Sequence, residues 1–363
     1  MRSWIRCLIN HKVLNACLAL FSVFVTFIVL EIAIRIYGHE FNFHNFLELR
    51  RDLFRSTYPS QFDKDLGWIP KKGNHQKNEW NTRVTIGENG IRSNGKDTQQ
   101  EKPTTILAVG DSFTFGDQVS DDETWPARLE ELSNARVING GVFGYGIDQS
   151  FLRMQALASI YRPDIIIFSF SPNDIYRCEL SERTSVPKPY FQLSAGNELV
   201  LMNEHLRSYT PSTKSLGLLR GVLGYSFLVH SVMMSRKNRE YWLQGSWKST
   251  QVHTDGARIA CRIFDRLNRY AQEEKVALYI LIQYGEHEHE RDLAVVDEVI
   301  PCLEKSGLKL IDLRYPLASV KEHDIQKYKS LFDVHMTREG NYFVASTLWD
   351  ATAPKLLRPP IRH

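Results

Sequence analysis

The sequence predicts a doubly wound α/β sandwich built on five parallel strands, and three observations carry that prediction. From Thr104 onward, short apolar runs rich in β-branched residues alternate with longer stretches of helical period. The apolar runs are mostly continuous, as in strands covered on both faces. The chain has 363 residues, 43% of them hydrophobic, which suffices for one sizeable core with additions.

The elements follow in chain order. Residues 13–30 (VLNACLALFSVFVTFIVL) contain no charge over eighteen positions, the length of a membrane-spanning helix. Glu31 and Arg35 follow at an i,i+4 spacing and can pair near the interface. We expect residues 1–38 to form a basic segment and an anchor, with 13–34 in the membrane. A cleaved signal peptide is the alternative, but the run is long for one and no A-x-A-like site follows it. Arg2, Arg6 and Lys12 precede the span, and Arg35, Arg50, Arg51 and Arg55 follow it. The count of Lys and Arg therefore does not settle orientation. The purely basic N-terminus favours placing the bulk of the chain on the extracytoplasmic, periplasmic side.

Residues 39–102 are polar and aromatic, with turn signals at Lys71–Lys72–Gly73 and Glu88–Asn89–Gly90. Alternation over Arg83–Val84–Thr85–Ile86 predicts a short strand. This segment is expected to be a small β-rich lead-in packed on a main domain of residues 103–363. Strands are predicted at 104–109, 135–139, 164–170, 276–283 and 308–313. Helices are predicted at 122–133, 147–161, 257–274, 293–306 and 337–351. The second aligns Ile147, Phe151, Met154, Leu157 and Ile160 on one face, and the third aligns Ile259, Ile263, Phe264, Leu267 and Tyr270. Residues 175–256 interrupt the alternation as an insertion. Within it, 186–203 reads as a hairpin turning at Gly196–Asn197. Residues 215–234 read as a buried or membrane-facing helix rather than a second span, because Arg220, His230 and three glycines break the segment.

Composition narrows the function. A net charge of +3 with interspersed signs lacks the basic stripe of a nucleic-acid binder. Five scattered cysteines without a CxxC form neither a disulfide framework nor a zinc site, although a single bridge stays open.

Ligands of open α/β sheets bind at the carboxyl ends of the strands. Four polar motifs fall there. They are Gly110–Asp111–Ser112 after the first strand, NGGVFGYG (139–146) after the second, Ser171–Pro172–Asn173–Asp174 after the third, and Asp333–Val334–His335 after the fifth. A serine hydroxyl becomes a nucleophile when a base takes its proton. His335, just before a predicted helix, can serve, and Asp333 can accept from its other ring nitrogen. The Ser112 N–H, the Gly144 N–H and the Asn173 side-chain amide can meet a developing oxyanion. Singly, each residue also fits a turn or cap. Residues 285–290 (GEHEHE) place His287 and His289 among acids. A solvated charged loop fits them better than a metal rim, because no further ligand set of fitting spacing accompanies them.

Together, GDSFTFG, NGGVFGYG, the Asn173–Asp174 pair and D-V-H before a final helix resemble the GDSL-type, or SGNH, hydrolase family. Its four letters fall here on Ser112, Gly144, Asn173 and His335, with Asp111 and Asp174 as supporting motif residues. The basic N-terminus, the anchor ending E-x-x-x-R, the N-G-I-R of the lead-in and a K-P-Y-F hairpin look like a membrane-anchored bacterial subgroup. The resemblance implies a flavodoxin-like three-layer α/β/α sandwich, a serine esterase or acyltransferase mechanism, and no metal cofactor. Two positions depart from the family pattern. Ser171 stands where G-x-N-D has glycine, and Asp333 precedes the histidine by two positions rather than three. If Asp333 does not reach the imidazole, a backbone carbonyl would orient it and the site would be a dyad. The chain also lacks a G-x-S-x-G elbow at Ser112, which argues against the α/β-hydrolase fold.

The expected function is membrane-anchored hydrolysis of acyl esters, O-acetyl or otherwise short-chain, carried on a small molecule or a polysaccharide. An O-acyltransferase to a glycan would use the same residues. A non-catalytic carbohydrate-binding or scaffold protein is a third reading, and the intact serine, asparagine and histidine speak against it.

Overall fold

The structure is a computed structural model, and it describes residues 2–41, 43, 45–49, 60–75, 80–95, 102–210, 217–235, 238–243 and 249–356. Arg50, Arg51 and Arg55 lie outside the described residues, as do 215–216 of the predicted insertion helix. The chain divides into two compact units. One comprises Met1–Asp52 with Ser212–Trp247, the other Leu53–Pro211 with Lys248–His363.

The larger unit is organised by a five-stranded parallel sheet: β1 (Thr104–Val109), β2 (Ala135–Asn139), β3 (Ile165–Phe170), β4 (Ala277–Ile282) and β5 (Lys309–Asp312). The strand order is β2-β1-β3-β4-β5, with every pair parallel. This is the flavodoxin-like order, whose switch point lies between β1 and β3. All six residues of β3 are buried, so side chains pointing to either face meet protein.

The helices of this unit include α1 (Ser112–Phe115), α2 (Trp125–Leu132), α3 (Ile147–Tyr161), α4 (Pro172–Arg177), α5 (Gly256–Glu273), α6 (Glu290–Ser306) and α7 (Arg338–Leu356). Helices α3, α5 and α6 pack in one group, and α2 packs with α7. The helix predicted at 122–133 splits. Thr124 caps α2 through its hydroxyl, which accepts from Ala127 N–H at 3.3 Å, and Asp121–Glu123 remain a separate 3₁₀ turn. A Cys261–Cys302 disulfide joins α5 to α6 with Cα atoms 5.4 Å apart, which settles the single bridge the sequence left open.

Two antiparallel hairpins precede the sheet, Ser60–Asp63 with Gly67–Pro70 and Gly73–His75 with Val84–Ile86. Their apolar side chains Leu66, Trp68, Val84 and Ile86 form a second core with Phe115, Phe143 and Tyr145. Arg92 then bridges to Asn139 at the end of β2. In the insertion, Tyr190–Leu193 and Leu199–Met202 pair as a hairpin, and Asn197 takes φ 61 in its turn. A fully buried Lys188–Asp148 ion pair ties the insertion to α3.

The smaller unit is built on the helix Arg2–Tyr37. Its stretch His11–Tyr37 has the length and hydropathy of a membrane span, features shared by signal sequences, and its most apolar window is unburied. Among the described residues no other helix passes that test. The predicted insertion helix is two short helices, Leu218–Leu223 and Phe227–Met233, broken at Gly224–Tyr225–Ser226. His230 in the second is buried, stacking on Phe46 at 4.9 Å and meeting Trp242 Nε1 at 3.1 Å.

Candidate active site

The site is assembled at the carboxyl ends of the strands, around the β1/β3 switch point. β1 ends at Val109, and Gly110 lets the chain pass close to β3. A Cβ at Gly110 would stand 2.7 Å from the Ser169 carbonyl. Asp111 then caps α1, its Oδ1 accepting from Phe113 N–H at 3.0 Å. Ser112 occupies the first position of that helix and is 6% exposed. Its Oγ lies 2.9 Å from His335 Nε2. The imidazole also packs on Phe113, ring centroids 5.1 Å apart.

A buried polar network joins the first, second and third motifs. Asp111 Oδ2 accepts from the Ser171 hydroxyl at 3.2 Å and from Arg177 Nη1 at 3.4 Å. Arg177 Nη1 also donates to Asp174 and to the Tyr145 carbonyl. Asp174 Oδ2 accepts from Ser171 N–H at 2.8 Å, closing a capping box on α4. Ser171 thus has a task that glycine could not perform: its hydroxyl ties β3 to the acid beside the serine. Burial and then the charge of Asp111 push the Asp174 carboxyl well up, with Arg177 opposing.

The second motif runs alongside β1, with Gly140 N–H donating to Ala108 O and Val142 N–H to Gly110 O. Gly144 has φ +76, and a Cβ there would collide with the Arg183 guanidinium, which donates to the Gly144 carbonyl. Among the described residues, neither the Ser112 N–H nor the Gly144 N–H has a protein acceptor. Asn173 is exposed in the first turn of α4.

The fourth motif is a tight turn. Phe332 bridges Met336, and Asp333 N–H donates to His335 O at 2.9 Å. The buried Asn341 of α7 fixes its base, donating to Met336 O and Thr337 O while accepting from Trp125 N–H. Asp333 makes no hydrogen bond to the imidazole, as in the dyad alternative, although Gln118 rather than a backbone carbonyl faces Nδ1. The i,i+2 spacing places Asp333 across the tight turn, exposed, with Oδ2 accepting from Gln118 Nε2 at 3.4 Å. His335 Nδ1 faces Gln118 Oε1 at 3.3 Å, and His335 N–H donates to the same oxygen at 2.6 Å.

Sequence reasoning missed Gln118, together with the residue that holds its loop. Gln118 sits at φ 72, a conformation uncommon for a residue with a Cβ. Arg92 braces that loop from within the protein. It is 1% exposed, and its guanidinium donates to the carbonyls of Phe115, Gly116 and Val119 at 2.7, 2.5 and 2.6 Å. A signal was available in N-G-I-R, where a lone arginine follows a turn glycine and an apolar residue. Gln118 itself has no spacing signature. The GEHEHE stretch is an exposed rim: His289 caps α6, and His287 pairs with Glu286 at 3.5 Å. No group of three or more metal-ligating side chains occurs among the described residues.

Solved structures similar to this chain are distant. A psychrotrophic esterase from Pseudoalteromonas sp. is 12% identical, with 70% of this chain and 100% of that one covered and a TM-score of 0.37. An acetyl xylan esterase is 15% identical over 68% of this chain and 98% of that one, TM-score 0.41. An acetylxylan esterase from Geobacillus stearothermophilus is 11% identical over 69% and 94%, TM-score 0.40. No curated protein sequence matches the chain. The model of the GDSL-like lipase/acylhydrolase family matches residues 108–342, which is more than half of the chain and takes in all four motifs. The chain therefore belongs to the GDSL-like lipase/acylhydrolase family and is a serine ester hydrolase.

Proposed function

We propose that this protein is a membrane-anchored, extracytoplasmic hydrolase of short-chain acyl esters, O-acetyl esters of a polysaccharide foremost, with Ser112 as nucleophile and His335 as general base. The observation that carries the chemical part is the 2.9 Å contact between Ser112 Oγ and His335 Nε2. As Oγ attacks the acyl carbonyl, Nε2 takes its proton. The carbonyl oxygen gains charge and is met by the N–H groups of Ser112 and Gly144 and by the Asn173 amide. Collapse breaks the ester bond, and the departing alkoxide takes the proton from Nε2. Water, deprotonated by the same nitrogen, then releases the acid from Ser112. Asp111 and Asp174 hold the surrounding backbone through Ser171 and Arg177.

The location has its own support. The stretch His11–Tyr37 has the length of a span, with the charge-free run 13–30 inside it. A Cys261–Cys302 bridge between two helices fits an oxidising compartment. An anchored esterase facing that compartment meets acylated polymers there.

A serine-reactive fluorophosphonate tests the chemistry. Wild-type protein should label, Ser112→Ala should not, and the labelled peptide should contain Ser112. Wild-type protein that stays unlabelled beside an active esterase control removes the mechanism. Screening aryl esters of increasing chain length and acetylated glycans then tests the substrate, with turnover expected to fall as the chain lengthens.

A further inference from the structure

We infer that the two short helices Leu218–Leu223 and Phe227–Met233 form a foot that lies in the headgroup layer of a phospholipid bilayer, beside the base of the membrane span. The inference rests on the anchor reading above and adds a second membrane-contacting element to it.

Depth comes first. The apolar stretch His11–Tyr37 has 27 residues. At ~1.5 Å per residue it extends about 40 Å, beyond the ~30 Å of a hydrocarbon core. With the charge-free run 13–30 centred in the bilayer, Glu31 stands about 14 Å from the midplane, at the edge of the core, and residues 32–37 lie beyond it. The foot packs against that emerging turn. Glu31 accepts from Ser226 Oγ at 2.7 Å and from the N–H groups of Phe227 and Leu228 at 2.8 and 2.9 Å. Arg35 pairs with Glu31 at 2.6 Å and donates to Tyr225 O at 2.7 Å. The hydrogen bonds that Glu31 and Arg35 make to the foot are therefore at interfacial depth.

The same contacts solve an electrostatic problem. A carboxylate at the edge of a bilayer is costly unless it is paired and hydrogen-bonded. Glu31 has a cation and three further donors, and both charged side chains are largely covered, 16% and 15% exposed. A freely solvated surface glutamate has no use for so complete a shell.

The outer face of the foot is the third observation. Leu218, Leu219, Val222 and Val232 are 88, 67, 64 and 59% exposed. Residues 217–235 contain no aspartate or glutamate, and the one full cation, Arg220, lies over the Tyr241 ring at 4.7 Å. Phe43, 82% exposed, stacks on Tyr225 at 5.3 Å, supplying aromatic rings where bilayer interfaces favour them. Exposed apolar side chains with no acid among them suit the boundary between headgroups and acyl chains.

The test uses the full chain in phosphatidylcholine–phosphatidylglycerol vesicles. An environment-sensitive NBD label is placed at residue 219 (Leu219→Cys, with Cys7→Ser and Cys17→Ser) or on Cys17 within the span (with Cys7→Ser). Cys178 is buried and Cys261 and Cys302 are bridged, so none of the three competes for label. The Cys17 label should be quenched by lipids spin-labelled deep in the acyl chain. The label at 219 should emit blue-shifted, lose most emission to lipids spin-labelled near the headgroup, and resist aqueous iodide. A label at 219 that iodide quenches while Cys17 stays lipid-quenched overturns the foot and leaves the anchor standing. Shielding of 219 from both quenchers also overturns it, since a second copy then covers the face. If neither label meets lipid, the anchor reading fails and the foot with it. Leu218→Cys repeats the measurement at a second, more exposed position.

Discussion

The two halves of the active site are held in opposite ways. Ser112 sits on buried ground: Asp111, Ser171, Asp174 and Arg177 link three strand ends behind it, and Arg92 clamps the loop that follows. His335 sits on a tight turn whose tip is open, with Val334 74% exposed and Asp333 exposed beside it. Asn341 fixes the base of that turn, and among the described residues Gln118 alone reaches its tip, at His335 N–H and Asp333. The proposed nucleophile is thus over-determined by distributed contacts, whereas the proposed base is aimed chiefly by one side chain, Gln118. A group that must hold one position benefits from redundancy. A group that accepts and returns a proton needs its ring plane fixed and little else.

The difference can be broken from either side. The largest effect is expected from Ser112→Ala and His335→Ala, each lowering kcat for an aryl acetate by on the order of 10⁴-fold or more without changing the melting temperature. Arg92→Leu should act through the fold. Leaving three loop carbonyls and Asp121 without their buried cation should cost about 3 kcal/mol, read as a shift in the urea midpoint. Gln118→Ala should lower kcat about tenfold at unchanged KM, the rate equivalent of one hydrogen bond of ~1.4 kcal/mol. Gln118→Glu, which keeps the accepting oxygen, should recover most of that loss. Asp333→Asn should stay within about threefold of wild type, because its exposed carboxylate reaches the histidine only through Gln118. A loss at Asp333 equal to that at His335 would instead mean that the turn rearranges to form a direct triad.

Much of this architecture was legible in the sequence. The strands at 104–109 and 135–139 and the helix at 147–161 appear with the expected bounds, because apolar runs mark the strands, an apolar face marks the helix, and turn residues bound them. The segment 215–234 misled in form: its apolar content reads as one helix, but Gly224 and Ser226 end one helix and cap the next. At the site, Ser112 and His335 were legible because their chemistry repeats in recognisable local settings. Gln118 was not, since its role depends on a left-handed backbone and a distant turn. Arg92 was visible as a letter in a motif, but that its guanidinium serves three carbonyls more than twenty residues away is a tertiary fact.

The Arg183 contact with the Gly144 carbonyl bears on protein engineering. Arg183 belongs to a strand of the insertion, which looks dispensable beside the five-stranded sheet. Trimming residues 180–187 to reach a minimal scaffold would free a glycine backbone at the proposed oxyanion site. A shortened enzyme that folds and survives purification would still turn over poorly, and the defect would be mistaken for a poor choice of substrate.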